Sequence, residues 1–219
     1  MQSFETFFEY IVHIDKYLEP LVKQQPFLCY FVLGIIIFSE TSFIVTAFLP
    51  SDVVLFSACS LMMVKNIFNP FILIPMFYLA AVAGDSVNFA IGRLLRKEVK
   101  KNGKVFFIKQ ENLEKTNKIF EKSGGTAVIL ARFVPLFRTL VPFVTGVSFE
   151  SYKWFLKRNA IGVAFWTTLY CTLGILFGRI KFVKTHFGLV ALGICFLTIL
   201  TATISLTLKK FIFDKHTKK

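Results

Sequence analysis

The stretch ARFVPLFRTLVP, residues 131–142, decides how the chain is read. It lies in a run from Gly124 to Phe149 that is otherwise apolar and contains no acid, yet it holds Arg132 and Arg138. Positions six apart on a helix point about 240° apart at 3.6 residues per turn, so one straight helix would aim the two guanidiniums at different faces. Pro135 stands between them, and proline removes a backbone donor and clashes with the turn before it. The run is therefore read as a hairpin over about 126–149, broken by Pro135 and Pro142, in which both arginines converge.

The rest of the chain sets that hairpin in a membrane. Of 219 residues 55% are hydrophobic and 28 are phenylalanine, above the roughly 45–50% apolar share of soluble domains. The apolar residues fall in long runs between charged segments, as a hydrocarbon core about 30 Å thick requires of spanning helices. The expected fold class is all-α: a polytopic integral membrane protein with two opposed re-entrant helical hairpins in an inverted-repeat arrangement.

Working outward, residues 1–26 read as an interfacial amphipathic helix, with Phe4, Phe7, Phe8, Ile11 and Leu18 at helical spacing among acidic residues. No basic leader with a cleavage site is visible, so the first apolar run is expected to be retained. From Phe27 to Val64 the only charges are Glu40 and Asp52, and Pro50 lies near the middle. This predicts a membrane helix ending near Glu40 and a first hairpin over about 41–64, turning at LPSD. Residues 70–92 form the next span, with Asp85 inside it and Arg93 at its end. The segment 93–122 carries ten Lys or Arg against four Glu and reads as an extramembrane connection. Spans at about 160–178 and 187–208 and a basic tail follow. The membrane core is thus placed at 27–180 and the final helix and tail at 181–219. Positive residues favour the cytoplasmic side, which predicts both termini inside, although Arg179, Lys181 and Lys184 oppose it.

Buried charge then points to function. A charged residue at the bilayer centre costs about 2.5–3.5 kcal/mol, so Glu40, Asp52, Arg132 and Arg138 together would cost roughly 10–14 kcal/mol unless compensated. Two acids from one hairpin and two bases from the other balance if the hairpins meet. Arginine keeps its charge and offers a planar fork suited to phosphate or carboxylate, so a converged pair is an anion site. Carboxylates take up a proton when desolvated, so Glu40 and Asp52 are the coupling candidates. Buried ion pairs that only fix hairpin docking are the competing reading. Asp85, Asn159 and Trp166 are secondary candidates, while Pro50, Pro135, Pro142 and Gly146 are structural at the site. Gly84 and Gly92 suit close helix packing.

Other chemistries find little support in the sequence. Cys29, Cys59, Cys171 and Cys195 stand singly in apolar segments, and His13, His186 and His216 form no cluster. No metal, cofactor or enzymatic activity is expected. The formal net charge of +13 falls mostly beside membrane spans, where anionic headgroups and not nucleic acid are the nearer partner.

The motifs carry a family resemblance. EKSGGTAVILARFVPLFRTLVPFVTGVSFESYKWFLKRNAIGVAFW, with FLPSDVVLF and GDSVNFAIGR upstream, resembles the signature of the DedA membrane protein family, from about Phe27 to Gly178. The resemblance implies two opposed re-entrant hairpins and a bacterial cytoplasmic-membrane lipid transporter of flippase or scramblase type. Arg132 and Arg138 would hold a lipid phosphate, with polyprenyl phosphate or phospholipid as partner, and Glu40 and Asp52 would bind protons or balance charge. A proton-coupled transporter of small ions or drugs and a non-transporting envelope scaffold are the alternatives, and homo-oligomerisation is left open. The chain departs from the family at Ser51, Asn88-Phe89, Arg96 and Thr145, where glycine, Gly-Tyr, glycine and alanine are usual.

Overall fold

In the computed structural model proline opens three helices: α1 (Pro26–Ser42), α3 (Pro70–Asn102) and α5 (Pro135–Val147). Proline suits the first helical position because its missing N–H would have no partner there. Helices α2 (Ser51–Lys65), α4 (Thr126–Leu130) and α6 (Tyr152–Gly178) are the others among the described residues. A 3-10 turn, Ala131–Phe133, joins α4 to the approach of α5, and β1 (Lys104–Val105) pairs antiparallel with β2 (Ile108–Lys109). The structure describes residues 24–43, 51–65, 68–102, 104–105, 108–109, 125–133, 135–148, 151–178, 180 and 193. The expected N-terminal amphipathic helix, Pro50, the 187–208 span and the basic tail lie outside the described residues.

Among the described residues two helices are long and apolar enough to cross a membrane, Pro70–Lys97 and Tyr152–Gly178. Both exceed their expected bounds. α3 does not stop at Arg93 but runs on to Asn102, because Leu, Arg, Lys and Glu are good helix formers once the chain has left the apolar stretch. α6 begins at Tyr152 instead of near Ala160: the Ser151 hydroxyl accepts from the Trp154 N–H at 3.2 Å, a serine cap that starts the helix early.

The described residues form two compact units. One takes α1 up to Ile36, α2, α3 up to Phe77 and α6 from Thr167. Its core includes Leu55, Phe56, Cys59, Leu61, Phe68, Leu73 and Phe77, all buried. Gly174 and Gly178 of α6 lie against Phe56 and Ser60 of α2, where a methyl group would meet the Phe56 carbonyl at 2.6 Å. Asn69 caps α3, its carboxamide oxygen accepting from the Phe71 N–H at 2.9 Å.

The other unit takes α1 from Ile37, α3 from Tyr78, the strand pair, α4, the 3-10 turn, α5 and α6 up to Trp166. Phe89, Val128, Val141, Phe143, Val144, Val147 and Phe155 form its core, with Phe89 stacked on Phe155 at 4.8 Å. Here α3 and α5 touch backbone to backbone. A side chain on Gly92 would strike the Phe143 carbonyl, and one on Gly146 the Phe89 carbonyl. These reciprocal glycine contacts seat α5, which is buried on every side from Val141 to Ser148. At 13 residues and 1.5 Å per residue, α5 is about 20 Å long, short of a bilayer's hydrocarbon core.

The break in 126–149 falls where Pro135 predicted it, between the 3-10 turn ending at Phe133 and α5. Pro142 does not break the run as expected. It sits inside α5, where it has no N–H to offer the Arg138 carbonyl but the surrounding core keeps the helix intact.

Candidate functional site

Each arginine reaches its position from a different local structure. Arg132 projects from the 3-10 turn and Arg138 from the first turn of α5, so the two leave from separate elements and not from the one straight helix that would have aimed them apart. Both guanidiniums then face one indole: their carbons lie 5.1 and 6.0 Å from the Trp166 ring centroid. Trp166 is 1% exposed and both arginines 4%. A desolvated guanidinium over an indole gains about 2 kcal/mol, which helps hold a charge that burial penalises.

Each arginine also has its own carboxylate. Arg138 donates to Glu40 Oε1, near the C-terminus of α1. Arg132 donates to Asp85 Oδ2 on α3, and its same nitrogen reaches Asn159 Oδ1 at 3.3 Å. Asn159 closes a ring of three by donating to Asp85 Oδ2 at 2.9 Å. The expectation that Arg132 finds its counter-charge in the first hairpin is thus corrected: Asp85, ranked secondary, is its partner. It wins because Asp85 lies one helical turn from Asn88, on the α3 face against which α5 packs.

The pairs are end-on. Arginine and carboxylate can make two parallel bonds, but Glu40 Oε2, Asp85 Oδ1 and Arg132 Nε find no hydrogen-bond partner among the described residues. A buried polar atom left unmet costs about 1–3 kcal/mol. Ion pairs serving only to dock helices would gain by closing side-on. This arrangement leaves donor and acceptor capacity at the place where both guanidiniums meet.

Asp52 is buried in the first turn of α2, where the positive end of the helix favours a carboxylate, and belongs to the first unit. Gly146 is a packing residue, as expected, and Pro135 opens α5. Two positions noted in the sequence only as departures from a family pattern are engaged. Asn88 donates to the Thr41 and Thr139 carbonyls at 3.1 and 2.8 Å. Arg96 donates to the carbonyls of Gly146, Val147 and Ser148, which are among the last of α5 and have no helical donors of their own. A signal for these lay in the spacing: 85, 88, 92 and 96 share one face of a helix. No group of three His, Cys, Asp or Glu side chains that could hold a metal ion occurs among the described residues.

Comparison with known proteins covers most of this site. The VTT domain matches residues 49–176, a segment holding both arginines, Asp85, Asn159 and Trp166, while Glu40 lies just upstream. The chain is 38% identical to Protein DedA from Escherichia coli strain K12 over 199 residues, covering 90% of this chain and 91% of that protein. It is 32% identical to the membrane protein ML0287 from Mycobacterium leprae, covering 78% of this chain and 76% of that one. The inner membrane protein YqjA from Escherichia coli strain K12 is 27% identical over 68% of each chain. No solved structure matches.

Proposed function

The chain belongs to the DedA family of VTT-domain membrane proteins, and from that premise we propose that it carries the phosphate head group of a lipid such as polyprenyl phosphate across a bacterial inner membrane. The observation that carries this reading is the pair of buried guanidiniums on one indole, one bonded to Glu40 Oε1 and the other to Asp85 Oδ2, with the second oxygen of each carboxylate unpartnered among the described residues. A phosphate oxygen is a better-matched partner for an arginine fork than one carboxylate oxygen. Lipid phosphate would displace Glu40 from Arg138 and Asp85 from Arg132. A proton on each released carboxylate would keep the site neutral, so protons are the coupling ion in this reading. The lipid tail stays in the bilayer and only the head group needs a polar route.

Two structural features support a re-entrant path for the arginine segment. The helix α5 is short of a full span and is buried on every side from Val141 to Val147. The other is the change from the 3-10 turn Ala131–Phe133 to a new helix at Pro135, since interrupted helical backbone is tolerated at membrane depth only inside protein or beside a wet cavity.

The test is transbilayer movement of labelled polyprenyl phosphate in liposomes holding the purified protein. Arg132→Ala and Arg138→Ala variants that still fold are expected to lose at least tenfold in rate. Undiminished movement in both would overturn the reading, and movement of small ions without lipid would favour the other transporter class.

A further inference from the structure

The Asn88 carboxamide joins the two backbones that carry the Glu40–Arg138 pair. It donates to the carbonyl of Thr41, the residue after Glu40, and to the carbonyl of Thr139, the residue after Arg138. A carboxamide nitrogen has two hydrogens, and both are used on oxygen acceptors, so its orientation is fixed by chemistry. Asn88 is 1% exposed. In so dry a position these bonds have no water to compete with them.

Both acceptors lie where helical bonding is thin. The Thr41 carbonyl belongs to the last turn of α1 and has no helical donor ahead of it. The Thr139 carbonyl follows the one that Pro142 cannot serve. Asn88 therefore fastens the end of α1 to a weakened turn of α5 at the level of the ion pair. Around it the contacts are steric: Gly84 abuts Thr41 and Phe38, and Gly92 abuts Phe143. Steric contact limits how near the helices come, while hydrogen bonds also set how they are turned about their axes.

We propose that Asn88 is the positioning residue of the Glu40–Arg138 pair, holding the two side chains in register through their own backbones. Resting on the lipid-phosphate reading above, it follows that Asn88 sets how readily phosphate replaces Glu40 at Arg138.

The test separates the two levels. In purified protein, thermal melting is measured for Glu40→Gln, Arg138→Gln and the double variant, first with Asn88 and then with Asn88→Leu, which keeps the branched shape and lacks N–H donors. Asn88→Ser, with one donor, is the milder second background. With Asn88 the double variant is expected to melt well above the sum of the single losses. That excess should fall to less than half in Asn88→Leu and to an intermediate value in Asn88→Ser. The same cycle on Asp85 and Arg132 should keep its excess, since both Asn88 carboxamide bonds go to the Thr41 and Thr139 carbonyls. An undiminished Glu40–Arg138 excess, or an equal fall in both cycles, overturns the proposal. These readings need no transport. If they hold while labelled polyprenyl phosphate fails to move, the positioning role stands and the lipid reading falls. If both hold, Asn88→Leu should shift the lipid concentration for half-maximal rate at least threefold.

Discussion

Replacing Gly146 by alanine tests the backbone contact that seats α5. An added methyl group would lie 2.9 Å from the Phe89 carbonyl carbon and 3.1 Å from the Arg93 nitrogen, and closer still to the Phe89 oxygen. Ordinary contacts between non-bonded carbons begin near 3.5–4.0 Å, so α5 must retreat from α3 by roughly 1 Å. Overpacking of this kind costs about 1–3 kcal/mol. The same retreat stretches the 2.8 Å bond from Asn88 to Thr139 beyond hydrogen-bonding range, for about 1 kcal/mol more. The sum, about 2–4 kcal/mol, corresponds to a fall in melting temperature of roughly 4–16 °C for a chain of this size. Gly34→Ala is the control. There the new methyl group meets only Met76, at 3.6 Å, and the helix gains up to about 1 kcal/mol in propensity. Melting of the purified protein in detergent reads both. The reasoning is refuted if Gly146→Ala melts as high as Gly34→Ala.

Two further outcomes are expected. Asp85→Asn and Arg132→Gln should each destabilise by about 3–5 kcal/mol, because each strands a buried charge. The double variant should recover most of the loss, and additive losses in a melting cycle would show that the pair does not close. Arg96→Gln should cost about 1.5–3 kcal/mol through its carbonyl bonds at the end of α5. Hydrogen exchange should rise first at 144–148, and protection there equal to that of the parent chain would contradict the clamp.

How much of this was legible beforehand differs by residue. The break at Pro135 could be read because proline acts on its own backbone, whatever surrounds it. Pro142 obeys the same rule, yet its helix continues, since a helix buried on every side is held by its neighbours. The arginines announced themselves by being charged in an apolar run, and Trp166 ranked only as a secondary candidate, because an indole in a spanning helix is ordinary until two guanidiniums are found against it. Arg132's partner was misjudged for a related reason. Charge counting matches acids to bases by number, whereas contact depends on which helix faces meet, and Asp85 lies on the face of α3 that receives α5. Asn88 and Arg96 looked like mere departures from a pattern until their carbonyl partners were seen.

What the sequence alone determined was whatever follows from local chemistry: membrane-length apolar helices, a proline break between two arginines, and carboxylates elsewhere in the apolar runs to balance them. Only the tertiary structure decided the pairing, Glu40 with Arg138 and Asp85 with Arg132. An ion pair is a relation between residues 98 and 47 positions apart in the chain. Helix packing sets it, through glycines that let two backbones touch and one carboxamide that fixes how they are turned.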